Sequence, residues 1–551
     1  MSSRLSLRLR IIATAAVAAA MLTACSSSNG DSGGNGDPGD PVAGGTLRLG
    51  VQDAPADLDP QTIGSFAEDM IKTNISDKLI YQNPKTGELE PWLATAWTNN
   101  DQFTEFALTL RDDVTFSDGT ALTADVVKEN LDLLAFGDES LGVPPQAALL
   151  AGYESTEVSG DNEVTITFTA PNAGFLPALS GRPFGIVGEA FLALSREERA
   201  KPENVVASGP FVVGEHIYQQ STTLDRRKGY DWAPASRAHS GDAYLDAVEV
   251  DVVPESGVRV GSLQSDETDA ITDVNTTDEK VLSDGGFTVF SRPIPGRNLS
   301  LDFNLHKAPS NDLAVREAIQ YGWDRDALKK TVLTDSYDIA TSIVPTVFPG
   351  YVDLSSEMPY DPDKSEQILD DAGWTVGSDG IREKDGAKLV LEVQGNASLP
   401  TNQPALELIQ ANLRDIGIQL DIKMVTAAEW VAGDTNQDPS WNINAYAGTG
   451  NDPSWLRTLY SPLSPSNRLK IDDTVPFKQE LIDLTDQLIA PLDDGARMAA
   501  MKDVQEAMVH EWFTSSPIYS QTAVAAMSSK VHGLTHDNYS RMSWYDAWLQ
   551  G

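Results

Sequence analysis

One cysteine, Cys25, stands in 551 residues, so no intramolecular disulfide is available to this chain. Whatever fold it adopts must be held by buried apolar surface, and a chain this long has enough to bury. The apolar residues recur in two periods that alternate along the sequence. Leu47, Leu49 and Val51 alternate as in a strand, and Phe66, Met70, Ile71, Ile75 and Leu79 fall at helical spacing. Further strands are expected at Phe106–Leu110, Val164–Phe168, Val248–Val252 and Leu299–Leu305. A helix is expected from about Asp125, with Thr123 as its N-cap. The second half repeats the pattern. Asp361-Pro362 opens a helix that Gly373 closes. The residues Leu406, Ile409 and Leu413 lead to Gly417 and a strand through Ile418, Leu420 and Ile422. Phe477–Leu488 and Met498–Met508 carry helical stripes, and their methionines read as core. The pattern is α/β with mixed sheets and no short tandem repeat.

The N-terminus has a grammar of its own. Arg4, Arg8 and Arg10 precede the apolar run Ile11–Leu22, then Thr23-Ala24-Cys25. That order is the layout of a secretory signal. With cysteine directly after the small residues it resembles a bacterial lipoprotein signal, which implies acylation of the Cys25 thiol. The run is short of the roughly 20 residues that span a bilayer, so the expected membrane link is lipid alone. Ser26–Gly44 is rich in Ser, Gly, Asn, Asp and Pro. It reads as a flexible tether with an end-to-end reach of about 25 Å. The net charge is −41, and loss of the leader removes three arginines and no acid. A surface so negative disfavours nucleic acid and anionic lipid.

Catalytic strings do not survive inspection. Gly30-Asp31-Ser32-Gly33-Gly34 mimics a serine-protease nucleophile, but it lies in the tether with no partners before it. His532 and His536 are separated by Gly533, and His510-Glu511 lacks a second histidine. No phosphate loop or nucleophile elbow appears. Eighty-one acids hide any glycosidase pair without marking one. No cofactor and no bare metal site is expected.

Several strings occur in order: Gly44-Gly45-Thr46-Leu47-Arg48-Leu49-Gly50 with Leu58-Asp59-Pro60; Leu89-Glu90-Pro91-Trp92-Leu93-Ala94; Val114-Thr115-Phe116-Ser117-Asp118-Gly119; Ser208-Gly209-Pro210-Phe211; Val315-Arg316-Glu317-Ala318-Ile319; and Tyr360-Asp361-Pro362. Together they resemble the extracellular solute-binding proteins of ABC importers, in the class that carries peptides, nickel complexes and opines. The resemblance spans roughly residues 45–545. It implies a two-lobed, flytrap-like α/β fold. The expected division is a signal at 1–24 and a tether at 25–44. The first lobe would comprise 45–295 plus 516–551, with an inserted subdomain at about 85–205, and the second lobe 296–515. Crossings are expected near Pro295-Gly296 and Ser516-Pro517.

The resemblance also places candidate ligand contacts. Arg182, in Gly181-Arg182-Pro183-Phe184, resembles an arginine that meets a ligand carboxylate. Thr449-Gly450-Asn451-Asp452-Pro453 aligns with a loop lining the cleft, and Thr449 stands where peptide binders carry a carboxylate. Asn451 and Asp452 are candidate polar contacts or turn caps. Tyr446 and Trp441 are candidate pocket walls, and Phe66 and Asp69 candidate contacts from the first lobe. The expected partners are a peptide or small polar ligand, such as an opine-like or metallophore-like chelate, and the permease subunits with their cytoplasmic ATPases. The chain is expected to work as a monomer and to do no chemistry. The rival readings are a secreted α/β hydrolase and a sensory or adhesive lipoprotein without transport.

Overall fold

The structure is a computed structural model that describes residues 39–146, 150–397, 399–426, 429, 441–490 and 493–550. Cys25, the signal and most of the tether lie outside the described residues. Residues 41–551 form one body.

Two sheets organise that body. The first has seven strands. Thr46–Val51 lies at its centre, parallel to both Ala247–Val252 and Ala270–Thr272. Antiparallel partners extend it on both sides: Ser221–Arg226 and Phe211–Ile217 on one, Thr522–Met527 and Thr288–Pro293 on the other. Leu47, Leu49 and Val51 are fully buried, and burying such a side chain stabilises by about 1.5–3 kcal/mol. The second sheet has five strands in the order Gln419–Val425, Val390–Asn396, Ile443–Thr449, Gly296–Phe303 and Ser515–Tyr519. Each sheet carries its own apolar core, one around Leu47 and Val250, the other around Leu301 and Leu391. The molecule therefore has two lobes.

A four-stranded antiparallel sheet belongs to the first lobe's core. Its order is Ala94–Asn99, Glu105–Leu110, Glu163–Phe168, Tyr153–Gly160. The helix Ala124–Phe136 packs on it, and Thr123 Oγ1 caps that helix by accepting from the Val126 N–H at 3.2 Å.

The chain passes between lobes twice. Thr288–Pro293 pairs in the first sheet and Gly296–Phe303 in the second, so the first passage occupies only Ile294-Pro295. Gly296 has φ +135°, and a Cβ there would lie 2.2 Å from the Gly448 carbonyl oxygen. Only glycine fits where the strands part. The return passage is Ser520-Gln521 rather than Ser516-Pro517. Ser515–Tyr519 is still laddered to the second sheet, and pairing in the first begins at Thr522.

Two smaller differences have local causes. The helix from Phe66 stops at Ile75, short of Leu79, because Ser76 turns extended and its Oγ donates to the Lys72 carbonyl at 2.7 Å. The strand through Leu299 ends at Phe303, where the Phe303 N–H goes instead to the Thr514 carbonyl.

Candidate functional site

The two parallel strand ends of the first sheet, Val51 and Thr272, open toward the second lobe, and crevices beyond such ends are where α/β sheets hold ligands. The helix Phe66–Ile75 starts beside this opening. Its N-terminus is closed by a capping box: Ser65 Oγ accepts from the Glu68 N–H at 3.3 Å, and Glu68 Oε2 accepts from the Ser65 N–H at 2.7 Å.

Between the lobes lie two regions of different character. The first is a polar junction. Asp69, with a fully buried side chain, pairs with Arg182, and Arg541 Nη2 lies 3.8 Å from the same carboxylate. Arg541 also lies over the Phe66 ring at 4.1 Å and donates to the Tyr539 carbonyl at 2.8 Å. Arg182 lies over the Tyr539 ring at 5.1 Å. Burial, and secondarily the charge of Arg541, lowers Arg182 to about 10, which leaves it protonated at neutral pH. Arg182 thus meets a carboxylate, as its residue type suggests, but the chain supplies it.

Tyr539 carries the junction to the second lobe, donating its hydroxyl to Asn451 Oδ1 at 2.8 Å. Asn451 Nδ2 in turn donates to Gln82 Oε1 at 3.0 Å, the Pro177 carbonyl at 3.0 Å and Ser180 Oγ at 3.1 Å. Asn451 belongs to the loop after a second-lobe strand, and all four partners belong to the first lobe. Its amide is saturated by contacts that hold the lobes together. Nearby, the Ala173 N–H donates to the Ile489 carbonyl at 3.3 Å. A Cβ on Gly174 would lie 2.1 Å from Ser454 Oγ, so the two lobes meet backbone to side chain there.

Asp452 turns away from the junction. Its carboxylate takes both Arg497 Nη groups, with Nη1 at 2.9 Å, and accepts from the Ser454 N–H at 2.9 Å. Thr449 sits opposite Gly296 at the first passage, where the Gly450 N–H donates to the Pro295 carbonyl at 3.1 Å. Tyr446 is half-buried, with Arg468 over its ring at 4.3 Å and Arg297 at 5.3 Å. Trp441 is buried in the second lobe, and its carbonyl accepts from Asn304 Nδ2 at 3.0 Å. It lies two residues before the strand Ile443–Thr449, at the end away from Thr449. Its ring is buried in the packing of that lobe.

The second region is a cavity of about 310 Å³ next to the passages, in the range of small-molecule sites. The first lobe contributes Asp53, Phe66, Asp273 and Phe290; the second contributes Tyr337, Leu399, Thr401 and Tyr519. Tyr337 and Tyr519 meet edge to face at 5.9 Å, and the Tyr519 hydroxyl shares a hydrogen bond of 2.6 Å with Thr401 Oγ1. His536 also borders the cavity. Burial and then the charge of Arg292 push it down to about 4, so it is neutral near pH 7. Another cross-lobe contact lies alongside: Glu279 accepts from Thr334 Oγ1 at 2.9 Å and Ser336 Oγ at 2.6 Å.

Phe66, Asp69, Arg182 and Asn451 are therefore brought together, and Tyr446, Thr449 and Asp452 lie on the second-lobe side. The residues that join them were missed by sequence reading. Tyr539 and Arg541 come from a polar C-terminal string about which nothing local says that it returns to a helix at residue 69. Among the described residues no three His, Cys, Asp or Glu side chains gather as a metal-ligand set, and no helix is long and apolar enough to cross a membrane.

Residues 88–467 match the family of bacterial extracellular solute-binding proteins, family 5 Middle. The chain belongs to that family. It is 24% identical to heme-binding protein A of Haemophilus influenzae over 99% of this chain and 100% of that protein. Identity to the nickel-binding periplasmic protein of Escherichia coli is 27%, over 61% of this chain and 63% of that one. NikA from Brucella suis, solved in complex with Fe(III)-EDTA, has the same fold, with a TM-score of 0.77 at 23% identity over 92% of this chain and 100% of that one. The two-lobed architecture is that of periplasmic binding proteins. Family members are extracytoplasmic solute-binding proteins.

Proposed function

We propose that this chain is the lipid-anchored receptor of an ABC importer, which closes its lobes on a small solute and hands it unaltered to a permease driven by cytoplasmic ATPases. The observation that carries the reading is the cavity beside the interlobe passages, walled from both lobes while Asn451, Glu279 and Ala173 hold the lobes together. A solute touching Phe66 on one side and Tyr519 on the other stabilises the closed arrangement by its contacts to both, and only by that difference. Lobe closure around two short passages is a recognised hinge geometry. The leader, followed directly by Cys25, supports acylation and attachment outside the cytoplasm.

The test is a thermal-shift screen of the purified chain against peptides, opine-like chelates and other polar metabolites. A true ligand at 100 times its Kd adds about 2.7 kcal/mol of stability. A ligand recovered by mass spectrometry with its mass unchanged supports the receptor reading. A recovered ligand that has been converted to product would overturn it.

A further inference from the structure

The cavity's charge is opposite to what an arginine-based site for an anionic ligand would present. No lysine or arginine is among the described residues that line it, whereas Asp53 and Asp273 both do. These two aspartates follow the central strand Thr46–Val51 and its parallel neighbour Ala270–Thr272, so both leave the sheet at the same edge and line the same cavity. Neither carboxylate has a salt-bridge partner within 4.0 Å among the described residues. Asp273 Oδ2 accepts the Thr272 hydroxyl at 2.7 Å. The nearest guanidinium behind them, Arg259, gives its hydrogen bonds to the carbonyls of Val253, Pro254 and Asp273. Arg541 is taken up by Asp69 and Tyr539. Burial, and next the charge of Asp273, raises the Asp53 carboxyl above its usual range, and the more distant Arg259 charge only partly opposes them. The remaining walls are aromatic: Phe66 and Phe290 from one lobe, Tyr337 and Tyr519 from the other. Ring faces attract cations as well as apolar bodies.

We infer that the cavity takes an organic cation: an ammonium-bearing solute whose charged end meets Asp53 and Asp273 of the first lobe and whose apolar or aromatic body lies against Tyr337 and Tyr519 of the second. This rests on the receptor reading above and names its solute class. Such a solute bridges the lobes, with charge on one and apolar area on the other, so removing either contact weakens closure. Anionic solutes are rejected because the same carboxylates repel them in a confined, low-dielectric space.

The test uses three probes of one shape: leucyl-tyrosine amide (cationic), N-acetyl-leucyl-tyrosine amide (neutral) and N-acetyl-leucyl-tyrosine (anionic). Each is titrated calorimetrically into the purified chain and into Asp53→Asn and Asp273→Asn. Unliganded melting temperature checks that both variants fold. The expected result is binding of the cation at least tenfold tighter than the neutral probe, no measurable binding of the anion, and at least a tenfold loss for the cation in each variant. Equal affinity for cation and neutral probe, tighter binding of the anion, an unchanged cation affinity in both variants, or no binding by any probe would each overturn the inference. The receptor reading is judged separately by the metabolite screen. A chain that captures an anionic metabolite unaltered keeps that reading and loses this one.

Discussion

The polar junction and the cavity occupy the same interlobe space and use their charges in opposite ways. At the junction, Asp69 answers Arg182 and Arg541, and Asn451 has both polar atoms of its side chain engaged. In the cavity, Asp53 and Asp273 face a void with no cation on its wall. Side chains ion-paired within the chain hold the closed form together, although the Nε atoms of Arg182 and Arg541 stay buried without a hydrogen-bond partner among the described residues. Carboxylates that line an enclosed space without an ion pair among the described residues are the ones that select a solute. A residue's chemistry alone does not tell which it is: an arginine suited to a ligand carboxylate serves as well on an internal one.

The comparison breaks first at the junction's charges. Asp69→Ala would leave Arg182 and Arg541 buried without their shared carboxylate. Stranding a buried charge costs about 3–5 kcal/mol, so denaturant unfolding should show the largest loss of the series. A loss below about 1 kcal/mol would mean that water already reaches those guanidiniums.

Next comes pH, through the cavity's edge. His536 has a folded pKa of about 4, below its unfolded value near 6.5. The unfolded chain therefore binds the extra proton between those values, and stability contributed by the neutral ring is present above pH 6.5 and lost as pH falls toward 4. The full effect is on the order of 3 kcal/mol. The variant His536→Gln should flatten that part of the stability–pH curve, measured by thermal melts from pH 4 to 7. An identical slope in the variant would assign the loss to other groups.

Asn451→Ala removes hydrogen bonds from Gln82, Ser180 and Tyr539 at once. Unmet buried partners cost about 1–3 kcal/mol. The effect should appear as a shift toward the open form, with a larger radius of gyration in solution scattering, while each lobe's own core stays intact. The smallest effect belongs to Trp441→Phe. It should leave solute affinity within about twofold while costing about 1 kcal/mol of stability, because the ring is buried within the second lobe.

Much of the architecture was legible from periodicity. The alternation at Leu47–Val51 and at Phe106–Leu110 gives strands, the Thr123 cap gives a helix start, and Asp361-Pro362 gives another. Each of these signals is local. What failed was non-local. The second passage could not be read because Ser515–Tyr519 has no period that says which of two sheets it joins. The partners of Asp69 and Asn451 come from Arg541 and Tyr539, distant in sequence from one or both, and only folding brings them together. Asp53 and Asp273 each look like an ordinary loop acid. They acquire a role because parallel pairing of the strands before them places both at one cavity.

The most direct measurement is solution scattering of the purified chain, titrated with whichever solute raises its melting temperature. A receptor that shuts on its solute shows a radius of gyration that falls to a saturable minimum at the affinity seen in the melt, with Asn451→Ala starting from a larger value. A radius that stays constant while the melting temperature climbs would contradict closure of the lobes on a bound solute.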